Sequence, residues 1–458
     1  MPKKQTDYLR KTAEAPADLL DYSVKASEKV MTGLPANPVI KKTGDYWHAL
    51  GPGLTTGASD DDPSGIATYS QTGAQYGFQL LWMAGLTFPL MAIVQEMCAR
   101  IGLVTGRGLA GTIRLHFPRR VLLMCTSLLF IANIFNLGAD LGAMAQATQL
   151  LRPSLSFGWL VVGFSALCLG LQIFTPYARY AKYLKWLALV LISYVASAIL
   201  AHLNWGTVLK GAIVPSMTLG KDQIILICAI LGTTISPFLF FWQTSQEVEE
   251  QIAAGKTTVA LRRGADQATI KKMRVDVWFG MFLSNLVMFF IIAACGAVLY
   301  PHGITSIQTS SQAAQALKPF AGNASYTLFA LGIIGTGLLA IPILAGSASY
   351  AVAESFRWKS GLSRNLSQAR AFYGVLIIAM LIGLSINFIG LNPIKALIYA
   401  AVANGIVAPL VLALIVLISS NKKIMGHWVN RRLTTGLGWG VTGIMLVSGV
   451  AAIIALLH

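Results

Sequence analysis

Apolar residues run along this chain in long, nearly unbroken blocks separated by short polar stretches. A helix that crosses a bilayer needs about 20 mostly apolar residues. Runs of that kind fall at roughly 48–76, 79–100, 121–150, 157–176, 183–203, 223–246, 275–300, 325–355, 371–389, 391–419 and 436–457. They predict an all-α polytopic membrane protein with eleven spans. The first 45 residues differ, being polar, charged and interrupted by prolines. They read as a cytoplasmic tail with no cleavable signal peptide. Within it, Ala17 to Val30 is the stretch suited to a short amphipathic helix.

Composition narrows the class. Of the 458 residues, 55% are hydrophobic and 12% charged, with mean hydropathy +0.64. Soluble domains carry roughly 25% charge. A soluble enzyme, a disordered chain and a secreted disulfide scaffold are excluded. Cys98, Cys125, Cys168, Cys228 and Cys295 stand alone in apolar stretches without zinc or disulfide spacing, and read as inert buried thiols.

The net charge of +17 points either to nucleic acid or to basic loops on one side of a membrane. Its distribution decides. With the N-terminus inside, 30 of the 35 basic residues fall in the tail or in the loops after spans 2, 4, 6, 8 and 10. Arg152, Lys210, Lys221, Lys318 and Lys395 fall outside. This asymmetry predicts a cytoplasmic N-terminus and an external C-terminus, in a bacterial inner membrane. No nucleic-acid partner is needed.

Two spans carry helix breakers near their centres: Gly51 to Gly65 around Pro63, and Leu231 to Phe240 around Pro237. Proline removes a backbone donor, and in lipid a broken backbone survives only against protein, water or an ion. Ordinary proline kinks are the plainer reading. Against it, spans 1 and 6 open two successive groups of five, the pattern of an inverted-repeat transporter with a midplane site.

Asp60, Asp61 and Asp62 stand beside the first break. A carboxylate at bilayer depth costs at least ~2.5 kcal/mol and usually lines a functional cavity. Successive residues of a helix point about 100° apart, so three in a row cannot face one site. Asp62, next to Pro63, is best placed to reach it, while Asp60 and Asp61 face a vestibule or cap a half-helix. Glu96, Asp276 and the Glu247–Glu250 cluster lie near inner ends and are expected to pair with loop Arg and Lys. Asp140 and Glu354 are candidates for the ion pathway. The excess of carboxylates favours a cation as cargo.

Asp62-Pro-Ser-Gly65 resembles the Asp-Pro-Gly-Asn motif of helix 1 in the NRAMP divalent-metal transporters. Cys98 to Ala110 resembles the family's loop after helix 2. Asp140-Leu-Gly-Ala143 resembles its Asp-Leu-Ala-Glu in helix 3, and Thr233 to Phe238 the helix 6 segment that carries Met-Pro-His. The resemblance covers about residues 46–420. It implies a LeuT-type fold of two inverted five-helix repeats plus an eleventh helix, with helices 1 and 6 broken at midplane. The repeats would span 47–204 and 222–419, after a tail at 1–46 and before helix 11 at 435–458.

The resemblance also implies a metal site at Asp62, Gly65, Thr233 (through its carbonyl) and Ser236. Asp60, Asp61, Ser64, Phe238, Gln243, Asp140 and Glu247 would surround it or line the pathway. The departures carry information. Gly65 stands where the family has its ligand Asn, Ser236 where it has Met, and Ala143 where it has the Glu tied to proton movement. Phe238 and Gln243 replace its helix 6 histidines. Thioether sulfur suits transition metals, whereas carboxylate, hydroxyl and carbonyl oxygens suit Mg²⁺, Ca²⁺ and Mn²⁺. Mg²⁺ tends to keep several waters, and loss of the Asn and Met bulk would leave room for them. Ser236, Gln243 and the Thr233 carbonyl could then bond coordinated water.

The expected function is transport of a hydrated hard divalent cation, Mg²⁺ first and Mn²⁺ second, with weak or no proton coupling. The branch resembled is that of the NRAMP-related magnesium transporters. No cofactor is expected beyond the cargo ion, the partners are that ion and the bilayer, and a monomer is favoured. A proton-coupled Mn²⁺/Fe²⁺ symporter, a carrier of a small organic or anionic solute and a non-transporting scaffold are the alternatives. For the organic solute, Phe238, Phe240, Phe241 and Trp242 would line the pocket, unless they pack or face lipid. No motif of an enzyme is present.

Overall fold

The computed structural model describes residues 51–174, 192–200, 203–218 and 220–457. The tail at 1–46 and most of span 5 lie outside these residues. Helices α1 (Pro52–Asp60) and α2 (Pro63–Tyr76) form the two halves of span 1, and α3 (Trp82–Thr105) is span 2. A short helix α4 (Leu109–His116) leads into α5 (Arg119–Leu151), span 3. Span 4 is α6 (Phe157–Phe174), and α7 (Ile192–Leu200) is the described part of span 5. After α8 (Trp205–Ile213), span 6 consists of α9 (Lys221–Thr234) and α10 (Pro237–Ala253). Spans 7 to 11 are α11 (Gln267–Val298), α12 (Ser325–Ser355), α13 (Arg370–Ile386), α14 (Pro393–Ser419) and α15 (Arg432–Leu457). Among the described residues there is no strand.

Eight described stretches are long and apolar enough to cross a bilayer. Span 1 falls short because it is split, and α13 because it has only 17 residues. With these and α7, every predicted run has its helix. The runs did not predict α8, whose nine residues are too few to make an apolar block. Its signal is Asn204, whose side chain accepts from Gly206 N and Thr207 N as an N-cap.

Small residues let the broken helices sit close to their neighbours. Gly53 and Gly57 of α1 press against α11 at Val277 and Gly280, where a Cβ on Gly53 would lie 2.6 Å from Val277 N. Gly232 of α9 lies equally close to Ala401 and Gly405 of α14. Lipid tails are as apolar as leucine, so close helix contact rather than hydrophobic exclusion holds such bundles together. Phe238, Phe240, Phe241 and Trp242 are all buried within the bundle and belong to its core. They face no lipid. Phe238 packs in that core one residue after Pro237, which opens α10. Large apolar side chains such as Ile131, Trp159 and Val447 point outward, as suits a lipid-facing surface.

The loop from Ala253 to Ile270 is anchored. Arg262 is buried and donates to the carbonyls of Gly106 (3.2 Å), Lys256 (3.0 Å) and Thr257 (2.9 Å). It ties this loop to the end of α3, where Gly106 adopts the left-handed conformation that ends a helix (φ 64°). In α15, Gly438 packs against Val416 and Met97, while nothing lies near Gly436 or Gly440. All five cysteines are free and buried, as expected.

Candidate ion site at the paired helix breaks

Both breaks have the same local grammar. The first half-helix ends, one residue leaves helical geometry, the next is extended, and a proline opens the second half-helix. At the first break α1 gives way to Asp61 (φ −83°, ψ 48°), then Asp62 (φ −66°, ψ 172°), with Pro63 at the first helical position. At the second, α9 gives way to Ile235 (φ −111°, ψ 57°), then Ser236 (φ −83°, ψ 132°), with Pro237 first in α10. Proline fits that position because its missing N–H would be unpaired there anyway. The prolines therefore start the second halves, and the broken backbone lies just before them.

The two caps use their side chains differently. Asp62 Oδ1 caps α2, accepting from Gly65 N (2.7 Å) and Ser64 Oγ (2.7 Å). A carboxylate there also meets the positive end of the helix dipole. Ser236 gives α10 no side-chain cap. Its hydroxyl turns back into α9, with its single proton between the carbonyls of Gly232 (2.6 Å) and Thr233 (2.7 Å). The breaks abut, with Ser64 Oγ 3.5 Å from Thr233 Oγ1.

Asp62 Oδ2 faces α5, where Asn136 Nδ2 donates to it at 3.2 Å. Asp60 Oδ2 accepts from Ser284 of α11 at 2.6 Å. Asp61 Oδ1 and both oxygens of Asp140 are buried without a hydrogen-bond partner. Asp60, Asp61, Asp62 and Asp140 are at most 2% exposed. Among the described residues, no Lys or Arg pairs with them. Nor does any group of three or more Asp, Glu, His and Cys side chains there form a closed metal cage.

The structure brings Asp60, Asp61, Asp62, Ser64, Gly65, Thr233 and Ser236 together at the breaks, with Asp140 one wall away on α5. Gln243 and Glu247 lie further along α10, where Thr56 Oγ1 donates to Gln243 Oε1 (2.5 Å) and Gln243 Nε2 to Glu247 Oε1 (2.9 Å). One expectation needs correction. Gly65 leaves no open space, because a Cβ there would lie 3.1 Å from the Asp60 carbonyl and 3.3 Å from Thr233 Oγ1. Ser236, the Thr233 carbonyl and Gln243 already have protein partners, and each oxygen keeps a lone pair that can accept from water.

The inner acids divide. Glu96 pairs with Arg274 (2.9 Å) and more loosely with Arg100 (3.8 Å), as expected. Asp276 holds backbone amides, those of Gly51 (2.8 Å), Gly53 (2.6 Å) and Leu54 (3.2 Å), and so caps α1 from α11. Glu354 likewise accepts from Gly111 N (2.8 Å) at the start of α4. Glu249 accepts from the Tyr350 hydroxyl (3.0 Å). Burial favours backbone and hydroxyl donors here because they are fixed in place, whereas a lysine must be desolvated.

Sequence reasoning missed Asn136 and Ser284. Asn136 had a signal: it precedes Asp140 by four residues, which puts both on one face of an otherwise apolar helix. Outside the break, Ala143 lines a narrow cavity with Ile66, Ala67 and Ser70.

A family model described as natural resistance-associated macrophage protein-like (Nramp) matches residues 53–455. A curated relative, the divalent metal cation transporter MntH of Klebsiella pneumoniae, is 26% identical over 401 residues, covering 87% of this chain and 91% of its own. Among solved structures, the Eremococcus coleocola manganese transporter matches with TM-score 0.68 at 18% identity, over 91% of this chain and 88% of its own. Mhp1, a nucleobase-cation-symport-1 family transporter, matches with TM-score 0.55 at 15% identity, over 88% and 91%. These structures share the fold: the LeuT-type arrangement with helices 1 and 6 interrupted.

Proposed function

This integral membrane protein belongs to the Nramp family, and we propose that it carries a hard divalent cation, hydrated Mg²⁺ first and Mn²⁺ second, by alternating access with weak or no proton coupling. The observation that supports this most is the donor set at the breaks. Every side chain there that can face an ion offers oxygen: Asp61, Asp62, Ser64, Asn136, Thr233 and Ser236. Hard cations take oxygen ligands, and a retained water shell reduces the number the protein must supply.

Asp62 supplies the charge. Its Oδ1 is committed to α2, while Oδ2 accepts one hydrogen bond from Asn136 and keeps acceptor capacity for the ion or its water. Ala143 offers no proton acceptor where the family resemblance places a Glu. An ion entering without a co-transported proton is driven by its gradient and by about 2.3 kcal/mol per charge per 100 mV. The names of the relatives, a divalent metal cation transporter and a manganese transporter, favour Mn²⁺ as the second reading. The tail is proposed to be cytoplasmic and the protein to act as a monomer.

Uptake into proteoliposomes, read with Mg²⁺- and Mn²⁺-sensitive dyes and an internal pH dye, tests this. Mg²⁺ entry without acidification is expected. Failure to carry any divalent ion overturns the proposal, and acidification driven by the metal restores proton coupling.

A further inference from the structure

The surroundings of Asp62 hold more acceptors than donors. Asp60 Oδ1, Asp61 Oδ1, Asn136 Oδ1 and both Asp140 oxygens are buried without a hydrogen-bond partner. The Tyr69 hydroxyl, buried near the same carboxylates, can meet one of them. A buried acceptor left unpaired costs about 1–3 kcal/mol. A carboxylate can relieve that by taking up a proton. Asn136 cannot, because its amide oxygen stays an acceptor at any ordinary pH. It needs a donor or a cation.

The orientation of the amide is fixed by its neighbour. Nδ2 lies 3.2 Å from Asp62 Oδ2. Exchanging the amide's oxygen and nitrogen would set two acceptors against each other, so Oδ1 is the atom turned away from Asp62. An amide's own oxygen and nitrogen are about 2.2 Å apart, so Asn136 Oδ1 lies no more than about 5.5 Å from Asp62 Oδ2. One water spans about 4.5 Å between two acceptors at about 2.8 Å each, and two neighbouring waters of a cation's shell span the rest of such a gap. Water bound to a cation points its hydrogens outward and donates to whatever surrounds it.

We propose that Asn136 is a specificity-determining residue of the ion site. Its Nδ2 positions the Asp62 carboxylate, and its Oδ1 accepts a hydrogen bond from a water carried on the cation. An amide oxygen thus reaches the ion from α5, although Gly65 on α2 has none. This rests on the proposed transport of a hydrated hard cation. A cation bound without its waters would draw no benefit from Oδ1, so the residue favours Mg²⁺ over ions that shed water readily.

The test compares wild type, Asn136→Leu and Asn136→Gln in proteoliposomes, with Mg²⁺ and Mn²⁺ uptake measured separately and thermal stability recorded for each. Asn136→Leu is expected to raise the half-saturating Mg²⁺ concentration about tenfold, as loss of one charge-assisted hydrogen bond would. It should raise that for Mn²⁺ less, and Asn136→Gln should restore part of the Mg²⁺ preference. Wild-type transport combined with an unchanged Mg²⁺ to Mn²⁺ preference in a stable Asn136→Leu variant overturns the inference and leaves the transport proposal standing. Equal loss for both ions also overturns it, since a merely structural role predicts that. Absence of divalent uptake by wild type overturns the transport proposal first.

Discussion

Asp62 is the residue on which the proposed activity turns. It is capped on one oxygen by α2 and faces α5 with the other. Replacing it by Ala removes the charge that draws the ion, and uptake should fall to background. The same change costs α2 its cap, roughly 1 kcal/mol, which leaves a bundle of this size folded. Normal uptake by Asp62→Ala would place the site elsewhere. Ser236→Met adds a soft sulfur at the second break and should shift selectivity toward Mn²⁺ or Cd²⁺, measured by competition for uptake. No shift would mean that position 236 does not face the ion. Much of this site was legible in the sequence, because Asp62 next to Pro63 and Ser236 next to Pro237 mark both breaks. Their partners were not legible. Asn136 and Ser284 approach from α5 and α11, and a single chain does not say which helices lie side by side.

Among the elements, α1 is the one held most unusually. At the break it stops at Asp60, and at its other end its first amides are gathered by the Asp276 carboxylate from α11. Asp276→Ala should lower the thermal midpoint, with a loss of roughly 2 kcal/mol from the missing cap. It should also speed the labelling of a cysteine introduced by Leu54→Cys, because the end of α1 is released. An unchanged labelling rate would show that the glycine contacts alone hold it. The helix limits followed from apolar blocks, since a span must be long and uniformly apolar. The role of Asp276 did not follow. A carboxylate near an inner end suggests a loop lysine as partner, and only the folded bundle shows that it gathers the N–H groups at the start of α1.

At the scale of the whole molecule, the sidedness of charge and the path of the ion make joint predictions. A membrane-impermeant maleimide should label Ser27→Cys only from the cytoplasmic side and Leu457→Cys only from outside. The reverse pattern would invert the assigned orientation. If the cargo crosses as a doubly charged ion, an inside-negative potential should accelerate uptake, with about 4.6 kcal/mol available per 100 mV. Uptake indifferent to an imposed potassium diffusion potential would mean that compensating charge moves with the ion. The proposed orientation rests on 30 of 35 basic residues, because loops keep their charges regardless of how the helices pack. The conformation of the bundle was not readable, because it depends on contacts between distant helices.

The cap on α1 also bears on the timing of transport. Its three amide bonds converge on one carboxylate, so this end of α1 can part from α11 only by breaking all three. Parting the two helices there is expected to carry a large activation enthalpy. If transport requires it, uptake measured against temperature should rise steeply on warming, and a shallow dependence would mean that α1 and α11 stay joined throughout.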